Sequence, residues 1–134
     1  MSRRSRAFTL GAGAVLSSGL LTLLTNSPAW ADATVSTVGA RAEFRDYGEH
    51  LSVCDTATDS RRALARVQWP AYPSSPSDIN IAYAEDADGN NGNCFEVPYD
   101  INIPEGMRVA IDIWIQDGPD TDNYENWRTI YTTA

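Results

Sequence analysis

Apolar residues recur at every second position through most of the chain beyond residue 32. In "ARAEFRDY", Ala40, Ala42 and Phe44 alternate with Arg41, Glu43 and Arg45, and in "HLSVC" Leu51 and Val53 keep the same period. Side chains two apart share one face of an extended chain, so each such run predicts a half-buried strand. "INIAYA" sets Ile79, Ile81 and Tyr83 on one face. "CFEVPYDINI" does the same with Phe95, Val97, Tyr99, Ile101 and Ile103, and "MRVAIDIWIQ" with Val109, Ile111, Ile113 and Ile115. "NWRTIYT" predicts a closing strand. "DSRRALARVQW" is rich in good helix formers. Yet Ala63, Ala65, Val67 and Trp69 alternate with Arg62, Leu64, Arg66 and Gln68, and a strand is the better reading. Turn signals at Tyr47-Gly48, Asp88-Gly89, Pro104-Glu105-Gly106 and Asp117-Gly118-Pro119 separate the runs. Six to seven strands, each with one wet face, predict an all-β fold: a single small antiparallel β-sandwich. A small barrel is the alternative.

The first residues follow a different pattern. Arg3, Arg4 and Arg6 precede an apolar stretch from Phe8 to Thr25, and Ala29 and Ala31 stand at the small-residue positions of a cleavage site. Residues 1–31 therefore read as a secretory signal peptide, and residues 32–134 as one domain exported from the cell. A retained membrane anchor is the rival, against which the Ser, Thr and Gly content of the stretch argues. The Arg pair resembles a twin-arginine signal, and the export route stays open. Without the leader, seven Arg face eighteen acids, and Lys is absent. So acidic a domain repels nucleic-acid phosphates and anionic membrane surfaces, which excludes both as partners. Cationic partners and divalent cations stay compatible, and solubility alone also explains the charge. The expected state is a monomer in the extracellular medium.

Two cysteines, Cys54 and Cys94, are an even count in a short exported chain and predict one disulfide. Both are out of phase with their apolar neighbours, so the bridge should lie at a strand end or sheet edge. The stretch "EDADGNNGNC" before Cys94 poses a choice between a calcium loop and a turn. Asp86, Asp88 and Asn90 have the opening spacing of an EF-hand loop, but Asn91 stands where Gly is required and Val97 where Glu is required. A hairpin turn between "INIAYA" and "CFEVPY" is the preferred reading. "DGPDTDNYEN" is a second acidic loop with the same shortcoming.

Catalytic constellations are scarce. His50 is the single histidine, set beside Glu49 and near Asp46. An exposed His at the start of a strand is the preferred reading over a triad. The lone His and the paired Cys leave no zinc set, and the absence of Lys removes Schiff-base chemistry. No catalytic residue, metal site or cofactor is assigned. The candidate binding residues are aromatic. Trp114 shares the polar face of its strand with Arg108, Ala110, Asp112 and Gln116, while Trp127, Thr129 and Tyr131 share a face of the last strand. A tryptophan on the wet side of a sheet suits sugar rings or a protein partner. A covering loop, or a place for Trp127 in the core, is the alternative. Trp114, Trp127 and Tyr131 are thus the expected binding surface.

"FRDYGEHLSVCDTATDS" and "PEGMRVAIDIWIQDG" with the later "NWRT" resemble small exported proteins of actinomycetes. The shared features are strand-and-turn patterns, so the resemblance implies export and a β-sandwich and carries over no site residue. Amylase-inhibitor sandwiches of the same bacteria are less similar: their four-cysteine framework is missing, and Trp127-Arg128 is followed by Thr129. The expected function is a secreted, non-catalytic binding or interaction module for an extracellular protein or carbohydrate. A small extracellular hydrolase and a secreted enzyme inhibitor are the alternatives.

Overall fold

The computed structural model describes residues 32–119 and 123–134; the expected signal peptide lies outside the described residues. The strands run β1 (Ala33–Thr37), β2 (Ala40–Arg45), β3 (His50–Asp55), β4 (Arg62–Trp69), β5 (Asn80–Asp86), β6 (Phe95–Glu96), β7 (Arg108–Gln116) and β8 (Tyr124–Thr133). They form two antiparallel four-stranded sheets, ordered β1-β2-β3-β6 and β5-β4-β7-β8. The all-β, two-sheet architecture agrees with the alternation in the sequence. Among the described residues eight strands stand where six to seven were expected, because β1 was not anticipated: "ATVST" buries only Val35 and carries a weak apolar signal.

The core lies between the sheets. Phe44, Leu51 and Val53 meet Val67, Val109, Ile111 and Ile113 there, and all of these are fully buried. The ambiguous segment is β4, with Ala63, Ala65 and Val67 inward as its period requires. Two expectations fail on β5 and β6. On β5, Ala82 and Ala84 face the core, whereas Ile81 and Tyr83 are exposed. The register explains this: Ala84 lies opposite Ala65 and Ala82 opposite Val67, and directly opposed residues share a face. A one-residue slip would drive Tyr83 into the core with its hydroxyl. In "CFEVPYDINI" only Phe95–Glu96 is strand. Pro98 has no N–H for a ladder. The segment beyond it reaches the core irregularly through Val97, Ile101 and Ile103, leaving Phe95 and Tyr99 exposed.

Both open sides of the sandwich are closed by specific contacts. On one side β1 meets β8: Arg128 Nη1 donates to the Ser36 carbonyl at 2.8 Å, Thr37 Oγ1 to the Asn126 carbonyl at 2.8 Å, and Asn126 Nδ2 to the Val38 carbonyl. The turn joining β1 to β2 contains Gly39 at φ +87°, where an added Cβ would stand 3.2 Å from Ile115 Cγ2 of β7. Glycine is required there for the dihedral and for the close approach of the sheets. On the other side the chain passes from β5 in one sheet to β6 in the other, so residues 87–94 make a crossover and not the expected hairpin. The Cys54–Cys94 disulfide, with Cα atoms 4.2 Å apart, holds its far end. Val53 pairs with Phe95, which makes Cys54 and Cys94 the next cross-strand couple at the end of β3. The bridge thus occupies the strand-end position its phase implied.

Because β6 has only two residues of ladder, the disulfide is its main tether. Unreduced protein should label with no thiol reagent, and denaturant unfolding of the Cys54→Ser, Cys94→Ser double variant should show a loss of about 2–4 kcal/mol. Stoichiometric labelling of the unreduced chain would contradict the bridge.

Candidate aromatic binding face

Alternation carries the even residues of β7 to the outer side of the β5-β4-β7-β8 sheet. Trp114 lies there, as its phase predicts, but it is only 7% exposed. The expectation that it stands free in water is corrected: its ring is covered by Trp127 of β8, stacked at 4.7 Å between centroids with 16° between planes. Trp127 remains 42% exposed and Tyr131 47% exposed. The structure therefore brings Trp114 and Trp127 together, Trp114 acting as the support and Trp127 as the presented ring. Tyr131 lies four residues further along the same strand face, stacked on Tyr72 at 5.3 Å.

A bulge makes this arrangement. Ile113 pairs with Arg128 and Ile115 with Glu125, so Asn126 and Trp127 together oppose Trp114. Asn126 takes φ +56°, a left-handed conformation that Asn tolerates better than most residues. The extra residue shifts the phase by one. Tyr124, three positions before Trp127, thereby joins its face and meets its edge at 5.6 Å.

A hydrogen-bond chain links β8, β7 and β4 beneath these rings. Trp127 Nε1 donates to Thr129 Oγ1 at 3.1 Å, the Thr129 hydroxyl donates to Asp112, and Arg66 Nε donates to the other Asp112 oxygen at 2.6 Å. Its members are opposed in register, Arg66–Asp112–Thr129, and Tyr83 of β5 stands opposite Arg66. Burial disfavours the Arg66 charge, but hydrogen bonds to Asp112 and Tyr83 outweigh it and raise the guanidinium pKa above its ordinary value. The Arg66 guanidinium also approaches the Trp127 ring at 5.0 Å. Arg62 pairs with Glu85 beside it. Between Tyr83 on one side and Trp127 on the other, these groups floor a groove of about 540 Å³.

Tyr83, Tyr124, Tyr72 and Arg66 were not recognised from the sequence as members of this face. Tyr83 was assigned to the core, and Tyr124 sat in an acidic run three residues out of phase. The sole local sign of the bulge was an Asn directly before Trp127.

The remaining candidates lie elsewhere. His50 Nδ1 stands 3.2 Å from Glu96 Oε1, outside hydrogen-bond geometry, and its Nε2 stands 3.8 Å from Asp100 Oδ1. Both contacts are with carboxylates. Asp86 points inward and is 4% exposed, accepting the Asp55 N–H at 2.8 Å, while Asp55 is itself 5% exposed. Among the described residues no group of three or more His, Cys, Asp or Glu side chains is arranged to hold a metal ion. Residues 120–122 of the second acidic loop lie outside the described residues. No protein-family model matches the chain, and no curated protein or solved structure matches it.

Two outcomes follow. Trp114→Ala, which empties a buried indole site, should cost roughly 3–5 kcal/mol in a denaturant melt. Trp127→Ala should cost roughly 1–2 kcal/mol. Equal costs would mean that the stack is not asymmetric. At Asp86, burial raises the carboxyl pKa, the Asp55 N–H lowers it, and neighbouring Asp88 raises it again, with a net upward shift. A raised folded-state value adds stability in acid that is lost as pH climbs from the ordinary carboxylate value through the raised one. Asp86→Asn stays neutral and keeps an acceptor for the Asp55 N–H. Its Tm relative to wild type should therefore rise between acid and neutral pH. A fall over that range would refute this account, and a calcium-dependent Tm rise lost in the variant would identify a cation loop.

Proposed function

We propose that this chain works outside the cell as a non-catalytic binding module whose ligand surface is the outer face of the β5-β4-β7-β8 sheet. One observation carries the reading: Trp127 presents 42% of its surface to solvent while stacked on Trp114 and hydrogen-bonded through its indole N–H to Thr129. A large apolar ring already held in one orientation loses little side-chain entropy when a ligand covers it. Tyr and Trp flanked by Arg also form the composition of binding hot spots. The leader pattern at residues 1–31 and the Cys54–Cys94 bridge support an extracellular setting.

The test uses secreted protein beginning at Asp32, immobilised and exposed to concentrated culture medium and to cell-wall fractions. Retention of a component should fall at least about tenfold, roughly 1.4 kcal/mol, in Trp127→Ala. It should persist in Phe95→Ala, which removes a comparably exposed ring from the opposite sheet. Retention indifferent to Trp127 would overturn the reading. So would turnover of generic ester, glycoside or peptide substrates that disappears in His50→Ala.

A further inference from the structure

We infer that the groove takes a neutral oligosaccharide long enough to reach from Trp127 to Tyr131, an inference that rests on the binding-face reading above. The shape is the first reason. About 540 Å³ lies within the range of sites that enclose small ligands, whereas a stable protein partner needs roughly 800 Å² of matching surface on each side. The walls are the second. Tyr83 on β5 and Trp127 on β8 are exposed rings standing on opposite sides of a polar floor. A sugar ring presents apolar C–H groups to such walls and hydroxyls along its rim, the same division of surface that the groove offers.

The floor is the third reason. Each hydroxyl both donates and accepts, and Arg62, Arg66, Glu85 and Gln116 together supply both functions. Their charges are already matched, Arg62 to Glu85 and Arg66 to Asp112. A guanidinium has five N–H donors and a carboxylate about four acceptor positions, so hydroxyls can add to these pairs without breaking them. Such a floor leaves no net charge for a charged ligand to neutralise. The domain as a whole, with seven Arg against eighteen acids, repels polyanions. That combination selects a neutral saccharide over a uronic-acid polymer.

Length is set by β8. Tyr131 lies four residues beyond Trp127 on the same face, roughly 13 Å at about 3.3 Å per residue, which exceeds one sugar ring. Tyr131 is backed by Tyr72, and the Arg108 guanidinium lies 5.7 Å from its ring. The structure thus holds two supported aromatic rings, one in the groove and one beyond its end.

The experiment titrates malto-, cello-, xylo- and chito-oligosaccharides graded by length, with polygalacturonate as the charged control, by calorimetry and tryptophan fluorescence. One neutral series should bind with affinity that rises with length and then levels off, and polygalacturonate should not bind. Trp127→Ala should lose at least tenfold at every length, and Trp127→Phe should recover part of that. Tyr131→Ala should lose affinity for the longer members alone. Thermal melts establish that each variant is folded before titration. Failure of every neutral series overturns the ligand class, and so does affinity independent of Trp127 or of length. If no saccharide binds but retention from culture medium still depends on Trp127, the face stands and its occupant is a different molecule. If retention is also independent of Trp127, both readings fall.

Discussion

The outer sheet is organised around a single buried carboxylate. Asp112 is 4% exposed, on the middle of the longest core strand, where an unpaired charge would be costly. Arg66 from β4 and Thr129 from β8 each satisfy one of its oxygens. Removing either partner would leave the charge partly uncompensated, so neighbouring strands are bound to the positions that bring these groups together. Thr129 also accepts the Trp127 indole N–H, and Arg66 also meets Tyr83. The aromatic walls are therefore oriented by the same pairing that satisfies both Asp112 oxygens.

This accounts for an uncommon feature of β7: both of its faces are buried. Val109, Ile111, Ile113 and Ile115 fill the space between the sheets, while Ala110, Asp112, Trp114 and Gln116 are covered from outside. The outer cover is made by side chains of β4 and β8, the strands flanking it. A second, smaller packed layer results, with Trp114 at its centre and Trp127 as its lid. Binding at this face would engage a layer already rigid, not a set of free surface side chains.

The other half of the molecule holds the domain closed. The short β6 has little ladder of its own, and the crossover from β5 depends on the Cys54–Cys94 bridge and on the Asp55 N–H to Asp86 contact beside it. Asp86 is buried against its own ionisation. An acidic loop that looks like a cation site in one dimension is, in three, a strap between sheets whose inward carboxyl serves a backbone donor.

By itself the chain determined its fold class, because alternation with period two is a local property and cannot be mistaken over nine residues such as Arg108–Gln116. It also determined the disulfide from the cysteine count, and the outward direction of Trp114 from the phase of its isoleucine neighbours. Tertiary structure decided what phase cannot express. Which face of β5 is inward depended on its register with β4, since "INIAYA" offers Ile on one side and Ala on the other. Whether Trp114 meets water depended on β8, and the arrival of Tyr124 beside Trp127 depended on one Asn in a left-handed conformation that shifts every residue before it. The partners of Asp112 come from residues 46 and 17 positions away in the chain. Side-chain alternation is encoded within each strand; the pairing of strands, and hence the aromatic face built across four of them, is encoded only in how the strands lie together.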